Sequence, residues 1–151
     1  MEIRNYNEHD KSAVQVIFAK YWTDKEFLNE LTKNIEGNQI SFYVAEKNDD
    51  IVGVAGFRQA PEYLCTHATT ENPAELYIIA SKLQQEGIGN ALVQKVIREA
   101  KNQSYTEIEC YSPETHENSW KFYEKLGFTQ YGIINDPDDG YPGMLWVKLI
   151  S

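Results

Sequence analysis

Near the middle of the chain, Gln84-Gln85-Glu86-Gly87-Ile88-Gly89 separates an apolar, strand-like run from an amphipathic, helix-like one. Glycines there let the backbone turn sharply, because a residue without Cβ adopts left-handed dihedrals freely. The first N–H groups of the following helix have no intrahelical partner, and together with the helix dipole they favour an anion at that end. Strand, glycine loop and helix in that order predict an α/β layer with a phosphate cradle over residues 84–90. Two familiar cradles fit poorly. Asn90 and Ala91 stand where a P-loop carries Lys and Ser/Thr, and no third glycine follows Gly89 as in a dinucleotide fingerprint.

The remaining chain alternates strand and helix signals. Residues 2–6 read as a short strand. Asn7 fits the cap of a helix whose stripe is Val14, Ile17, Phe18 and Tyr21, the spacing of one helical face. Thr23 and Glu26 fit a capping box for a second helix carrying Phe27, Leu28, Leu31 and Ile35, ended by Gly37-Asn38. Strands at 40–46 and 51–57 flank the turn Asn48-Asp49-Asp50 and predict a hairpin. Residues 59–73, with Pro61, His67, Thr69, Thr70 and Pro73, show no period and predict a long irregular segment, the kind that often carries function. A fourth strand is expected at 74–80. The helix at 87–102 has a stripe of Ile88, Ala91, Leu92, Val96 and Ala100, widened by Val93 and Ile97, so it is expected to lie on a sheet. A strand at 106–111, a helix at 115–126 with Gly127 at its C′ position, and strands at 128–134 and 144–150 complete the order β-α-α-β-β-β-α-β-α-β-β. That order implies an α/β fold on a mixed sheet.

A chain of 151 residues suits a single domain, and 42% hydrophobic with 13% aromatic residues supplies a core. No apolar run reaches membrane-spanning length, and the polar start Met1-Glu2-Ile3-Arg4-Asn5 is unlike a signal peptide. Cys65 and Cys110 are far apart and not spaced as metal ligands, so a cytoplasmic chain with reduced thiols and no metal is expected. A net charge of −9 argues against nucleic acid as the main partner, which would need clustered Lys and Arg. It agrees with a cationic partner such as an amine, and equally with acidity that serves only solubility.

A second block, Asn118-Ser119-Trp120-Lys121-Phe122-Tyr123-Glu124-Lys125-Leu126-Gly127-Phe128, follows the glycine loop. The two blocks in this order resemble the GNAT superfamily of N-acetyltransferases. That family carries Gln/Arg-x-x-Gly-x-Gly/Ala after its fourth strand, then a helix ending in Phe-Tyr-x-x-x-Gly-Phe. The likeness spans about residues 40 to 150 and, more loosely, the whole of 1–151. It implies a mixed six- or seven-stranded sheet flanked by about four helices and splayed between the fourth and fifth strands, where a pantetheine arm enters. It also implies acetyl-CoA as co-substrate, a primary amine as acceptor and no covalent enzyme intermediate, and it leaves a homodimer open.

The resemblance assigns roles residue by residue. Backbone N–H groups of Gln84, Gln85, Glu86, Gly87, Ile88, Gly89 and Asn90 hold the pyrophosphate, and Lys82 is the nearby cation. The pantetheine amides pair with the backbone of Ile78, Ile79 and Ala80, and the Ile79 N–H polarises the thioester carbonyl. The side chains of Ile78 and Ile79 are expected in the core. An alkyl amine with pKa near 10.4 is neutral in about one molecule in 10³ at pH 7, a handicap of roughly 4–5 kcal/mol. A carboxylate acting through water would relieve it, and Glu75 is the candidate base, with a surface or salt-bridged Glu75 as the alternative. Tyr123 matches the tyrosine that protonates the leaving thiolate, with Tyr111 as a second candidate. The family commonly places an Asn against the pantetheine arm where this chain has His116. Imidazole can donate a similar bond, and Asn118 stands two residues later.

Acceptor contacts in the family come from the first two helices, the loop before the fourth strand and the last hairpin. Tyr21, Trp22, Tyr63, His67, Tyr141, Met144 and Trp146 stand in such places, and Asp136, Asp138 and Asp139 could attract a cation. Each also reads as a core aromatic or a solvated turn, and Pro137 with Gly140 suffices for a turn. The expected acceptor is a small-molecule amine. A protein or peptide amine, and a non-catalytic acyl-CoA-binding or regulatory module of the same fold, are the alternatives.

Overall fold

The computed structural model describes residues 1–83, 87–113, 117–135 and 142–150, and for Glu117 and Asn118 the backbone alone. Its strands are β1 (Glu2–Asn5), β2 (Ser41–Lys47), β3 (Asp50–Gln59), β4 (Pro73–Ser81), β5 (Glu107–Pro113), β6 (Thr129–Asn135) and β7 (Pro142–Leu149). Its helices are α1 (Lys11–Tyr21), α2 (Lys25–Glu36), α3 (Glu62–Cys65), α4 (Ile88–Asn102) and α5 (Glu117–Lys125). The seven strands form one sheet in the order β1-β2-β3-β4-β5-β7-β6. β4 and β5 run parallel, whereas β1–β2, β2–β3, β5–β7 and β6–β7 are antiparallel, so the sheet is mixed as expected. Among the described residues no helix is long and apolar enough to cross a membrane.

The chain divides into two compact units, Met1–Arg58 with Leu76–Arg98, and Gln59–Glu75 with Glu99–Ser151. In the first, Asn7 caps a 3-10 turn, Glu8–Asp10, before α1 begins. The Asn7 side chain accepts from the His9 N–H at 2.9 Å, and the Asp10 carboxylate accepts from the Asn7 N–H at 3.0 Å. Asp10 also takes both arms of the Arg4 guanidinium, at 2.8 and 2.9 Å, which ties β1 to the start of the helix. The second helix is capped by Asp24 rather than Thr23: Asp24 has extended backbone and its carboxylate takes the Glu26 N–H at 2.9 Å. The β2–β3 hairpin turns on two residues, Asn48 and Asp49, both at positive φ, and Asp50 already pairs with Lys47.

The core of this unit joins Val14, Ile17 and Phe18 of α1 and Leu31 and Ile35 of α2 to strand residues including Phe42, Val44, Val54, Ile78 and Ala80. α4 packs against β3 at Gly53, where an added Cβ would lie 2.6 Å from Ile88 Cγ2 and 2.9 Å from Leu92 Cδ1. That close approach fixes the height at which α4 begins.

The second unit shows what the aperiodic stretch contains. α3 is a single turn carrying buried Leu64, too short to leave a helical period. Leu64 packs with Ala60, Ile134, Leu145 and Val147, with Tyr63 and Tyr111 against them. Thr69 and Thr70, just beyond, bond to β5 through Glu107.

Candidate active site

Within the first unit, β4 leads towards the glycine loop and its end is tied down by α1. The Tyr21 hydroxyl donates to the Ser81 carbonyl at 2.5 Å, and the Lys20 ammonium donates to the Lys82 carbonyl at 2.6 Å. The Lys82 N–H bonds the Val52 carbonyl at 2.7 Å. Tyr21 thus anchors the end of the strand. Lys82 is already paired with Asp50 at 2.8 Å, and Lys20, absent from the sequence-based set, is a second cation beside the loop.

Gln84, Gln85 and Glu86 lie outside the described residues. Gly87 has φ +77°, and none of the described residues lies within 4 Å of where its Cβ would stand. Its carbonyl accepts the Ala91 N–H at 3.0 Å, so the first turn of α4 is formed. Ile88 is buried against β3 and holds the turn in place, while Gly89 is half-buried and Asn90 exposed. The first N–H groups of a fifteen-residue helix follow a left-handed glycine with open space, which fits an anionic group. Ile78 points its side chain into the core, as expected, and Ala80 joins it, whereas Ile79, also expected there, is only half-buried.

Within the second unit, the block around Tyr123 has a local physical explanation. The Phe128 N–H bonds the Tyr123 carbonyl at 3.1 Å and the Gly127 N–H bonds the Glu124 carbonyl at 3.0 Å, with Gly127 at φ +86°. These are the two bonds of a Schellman motif, and its usual apolar contact is present, with the Tyr123 and Phe128 rings 5.8 Å apart. The motif therefore fixes the end of α5 and the direction of the tyrosine together. Tyr123 is buried, its ring lies 6.0 Å from Trp146, and its hydroxyl hydrogen-bonds the Cys110 thiol. Burial raises the Tyr123 phenol well above its ordinary range, so it stays protonated at neutral pH. Burial likewise pushes the Cys110 thiol up to about 12, which keeps it from acting as a thiolate.

Among the described residues of this unit three carboxylates are buried: Glu75, Glu107 and Glu109. Glu75 is 5% exposed, which removes the surface alternative, and it stands opposite Glu109 in the parallel register. Glu107 is held by the N–H and hydroxyl groups of Thr69 and Thr70, at 2.6 to 3.1 Å. Neither Glu109 oxygen has a hydrogen-bond partner among the described residues. Burial, then the charges of Glu107 and Glu75, push its carboxyl up to about 8. Sequence reasoning missed Glu107 and Glu109, although acids alternating with Ile108 and Cys110 were there to be read. Alternation of that kind normally marks a solvated face, and here that face is covered.

The other expectations divide. His67 meets Tyr131, ring nitrogen to hydroxyl at 3.2 Å, and Trp22 packs on Phe18 and Phe27. Tyr63 packs against the second core, Tyr111 likewise, and Met144 and Trp146 are buried. The indole N–H groups of Trp146 and Trp120 are buried without a partner among the described residues, with the rings 6.4 Å apart. His116, Asp136, Asp138, Asp139 and Tyr141 lie outside the described residues, and Asn118 is described only as part of the α5 backbone.

Several solved structures share this fold. An N-acetyltransferase from Staphylococcus aureus Mu50 superposes with a TM-score of 0.76 at 18% identity, covering 99% of this chain and 98% of the other. An aminoglycoside 6'-N-acetyltransferase complexed with coenzyme A gives 0.78 at 17% identity, covering 100% and 98%. A ribosomal-protein-alanine N-acetyltransferase from Brucella melitensis gives 0.73 at 18% identity, covering 99% of each. The profile of the Acetyltransferase (GNAT) family matches residues 4–128, most of the chain, and the protein belongs to that family.

Proposed function

We propose that this chain is a single catalytic domain that moves the acetyl group of acetyl-CoA to a primary amine on a small molecule, directly within a ternary complex. The observation that carries this reading is Tyr123, a buried, protonated phenol whose direction is fixed by the helix end. Such a group can give its proton to a departing thiolate and is otherwise inert. Three other features support it. The α4 N-terminus after Gly87, with Lys20 and Lys82 beside the loop, suits a pyrophosphate. The β4 backbone at Ile78, Ile79 and Ala80 would pair with the pantetheine amides, the Ile79 N–H polarising the thioester carbonyl. His116 and Asn118 remain the candidates for the pantetheine arm, and Glu75, buried on β4, is the candidate base for the acceptor amine.

Two measurements test the reading. Thermal unfolding with acetyl-CoA, CoA, ATP or NAD at about a hundredfold excess over Kd reads a stabilisation of roughly 2.7 kcal/mol for a true ligand. Stabilisation by the two CoA forms alone is expected. Release of free CoA thiol is then followed with kanamycin, spermidine and a peptide beginning with alanine. Release with kanamycin or spermidine supports a small-molecule acceptor, and release with the peptide alone moves the acceptor to a protein. CoA binding without release on any amine would leave a binding module in place of an enzyme.

A further inference from the structure

Tyr123 is buried in the second unit, and its neighbours are mostly aromatic. The ring of Phe122, on the same helix, lies 5.4 Å away, that of Phe128 beyond the helix end 5.8 Å, and that of Trp146 on β7 6.0 Å. From β5 comes Cys110, placed by the register that sets it opposite Trp146. None of these groups is charged at neutral pH. The Trp146 indole N–H has no partner among the described residues, so it does not donate to the phenol. The hydroxyl bonds instead to the Cys110 thiol, which is itself buried.

That bond lowers the thiol and raises the phenol, the pattern of an O–H that donates and a sulfur that accepts. Sulfur is a weak acceptor, so the bond aims the phenol's proton without holding it firmly. The reverse bond is open to the same pair. Burial, with the charge of Glu75 adding to it, keeps the Cys110 thiol as S–H up to about pH 12. When the phenol gives up its proton, an oxyanion is left in an apolar setting, which is costly without a donor. Rotation about the Cys110 Cβ–Sγ bond turns the S–H towards that oxygen. A hydrogen bond to an ionised partner is stronger than one between neutral groups, so with the thiol protonated the contact favours phenolate over phenol.

We propose that Cys110 is a positioning residue for Tyr123: its sulfur aims the phenol's proton before transfer, and its S–H stabilises the phenolate afterwards. The proposal rests on the N-acetyltransferase reading above. In the step, the Tyr123 O–H bond breaks and an S–H bond forms on the departing thiolate of CoA. The S–H bond of Cys110 stays intact throughout. The phenolate then takes the proton that the acceptor nitrogen releases as the amide forms, and the first hydrogen bond returns. A hydroxyl in place of the thiol can act in both directions, and a methyl group in neither.

The test uses Cys110→Val, which fills the sulfur's space with carbon, Cys110→Ala in case the larger group overpacks, and Cys110→Ser, which keeps a donor and an acceptor. Each is made with difluorotyrosine at position 123. Its phenol is more acidic than that of tyrosine, so it titrates while Cys110 is still S–H, and fluorine NMR reads that one residue. The titration should move up by about one pH unit in the Val and Ala variants and stay near its starting place in Cys110→Ser. A folded Cys110→Val or Cys110→Ala protein whose titration does not move overturns the proposal. With Tyr123 itself in place, and with the amine from the screen above that gives most thiol release, Cys110→Val should lose about tenfold in kcat at unchanged acetyl-CoA Kd, and Cys110→Ser should recover most of it. A weaker Kd with kcat unchanged also overturns the proposal, because it marks a residue that only shapes the fold. A wild type that acetylates no amine counts instead against the reading on which the proposal rests, and the fluorine titration then still decides the contact.

Discussion

Replacing Glu109 by Gln should change how stability depends on pH, and the size follows from its surroundings. The side chain keeps its shape and loses its titration. In the folded protein the Glu109 carboxyl is pushed up to about 8, against an ordinary value of 4.5. Between those two values the native state holds a proton that the unfolded chain has released. The unfolded state therefore binds fewer protons, and stability falls as pH rises, by about 1.36 kcal/mol per unit. The contribution is complete below about pH 4.5 and lost by about pH 8. Across roughly 3.5 units the integrated loss is about 5 kcal/mol, an upper limit because the native state relaxes around a buried ion. Other perturbed groups act elsewhere. The Arg4 guanidinium holds Asp10 below its ordinary 3.8, so what Asp10 contributes is present above that value and lost on acidification. Cys110 titrates near 12 and Tyr123 above its ordinary 10. Cys65 is likewise raised from 9.0, so among the described groups with a shifted titration Glu109 is the one whose shift spans the interval from pH 5 to about pH 8.

The assay is urea unfolding of both proteins at several pH values across that interval, followed by tryptophan fluorescence. The glutamine amide is itself a buried polar group and adds a constant offset, so the quantity that matters is the change in the difference with pH. Glu109→Gln should gain on wild type by several kcal/mol from pH 5 to pH 9, or roughly 1–3 M in urea midpoint. A difference that stays flat with pH would refute the reasoning, because it would mean that the carboxyl titrates alike in the folded and unfolded chains.

If Tyr123 protonates the thiolate as proposed, Tyr123→Phe should lower kcat about a hundredfold at unchanged acetyl-CoA affinity, read by thiol release and calorimetry. Gly87→Val meets no clash with the described residues, but a β-branched residue at φ +77° costs about 1–3 kcal/mol of strain. It should reshape the start of α4 and raise the acetyl-CoA Kd about tenfold, and a folded variant with wild-type Kd would remove Gly87 from the cradle. Gly53→Ala drives a methyl group to 2.6 Å from Ile88 and should destabilise the protein by about 1–3 kcal/mol while weakening the same binding through the shifted helix start, which thermal unfolding and calorimetry would show.

What could be read in the sequence was local. The stripe of α4, the hairpin at Asn48-Asp49 and the Schellman end of α5 depend on residues within a few positions of one another, and each formed where its pattern stood. Phe-Tyr-x-x-x-Gly-Phe is legible for that reason: Tyr123, Gly127 and Phe128 are the three points of a single capping geometry, so the motif carries its structure with it. The misses share the opposite property. Thr23 lost the cap to Asp24 by one residue, a choice between two good acceptors that only backbone dihedrals settle. Lys20 reaches the β4 loop because α1 ends there, across 62 positions of chain. Glu107 and Glu109 alternate with apolar neighbours as a half-solvated strand would, and their burial comes from α3 and the Thr69-Thr70 segment, more than thirty-five positions away. The burial that raises the Glu109 carboxyl is thus a tertiary property. Strand propensity and charge pattern at 107–111 are the same whether that face meets water or α3, so no reading of those five residues alone could distinguish a solvated surface acid from a buried one with a raised titration.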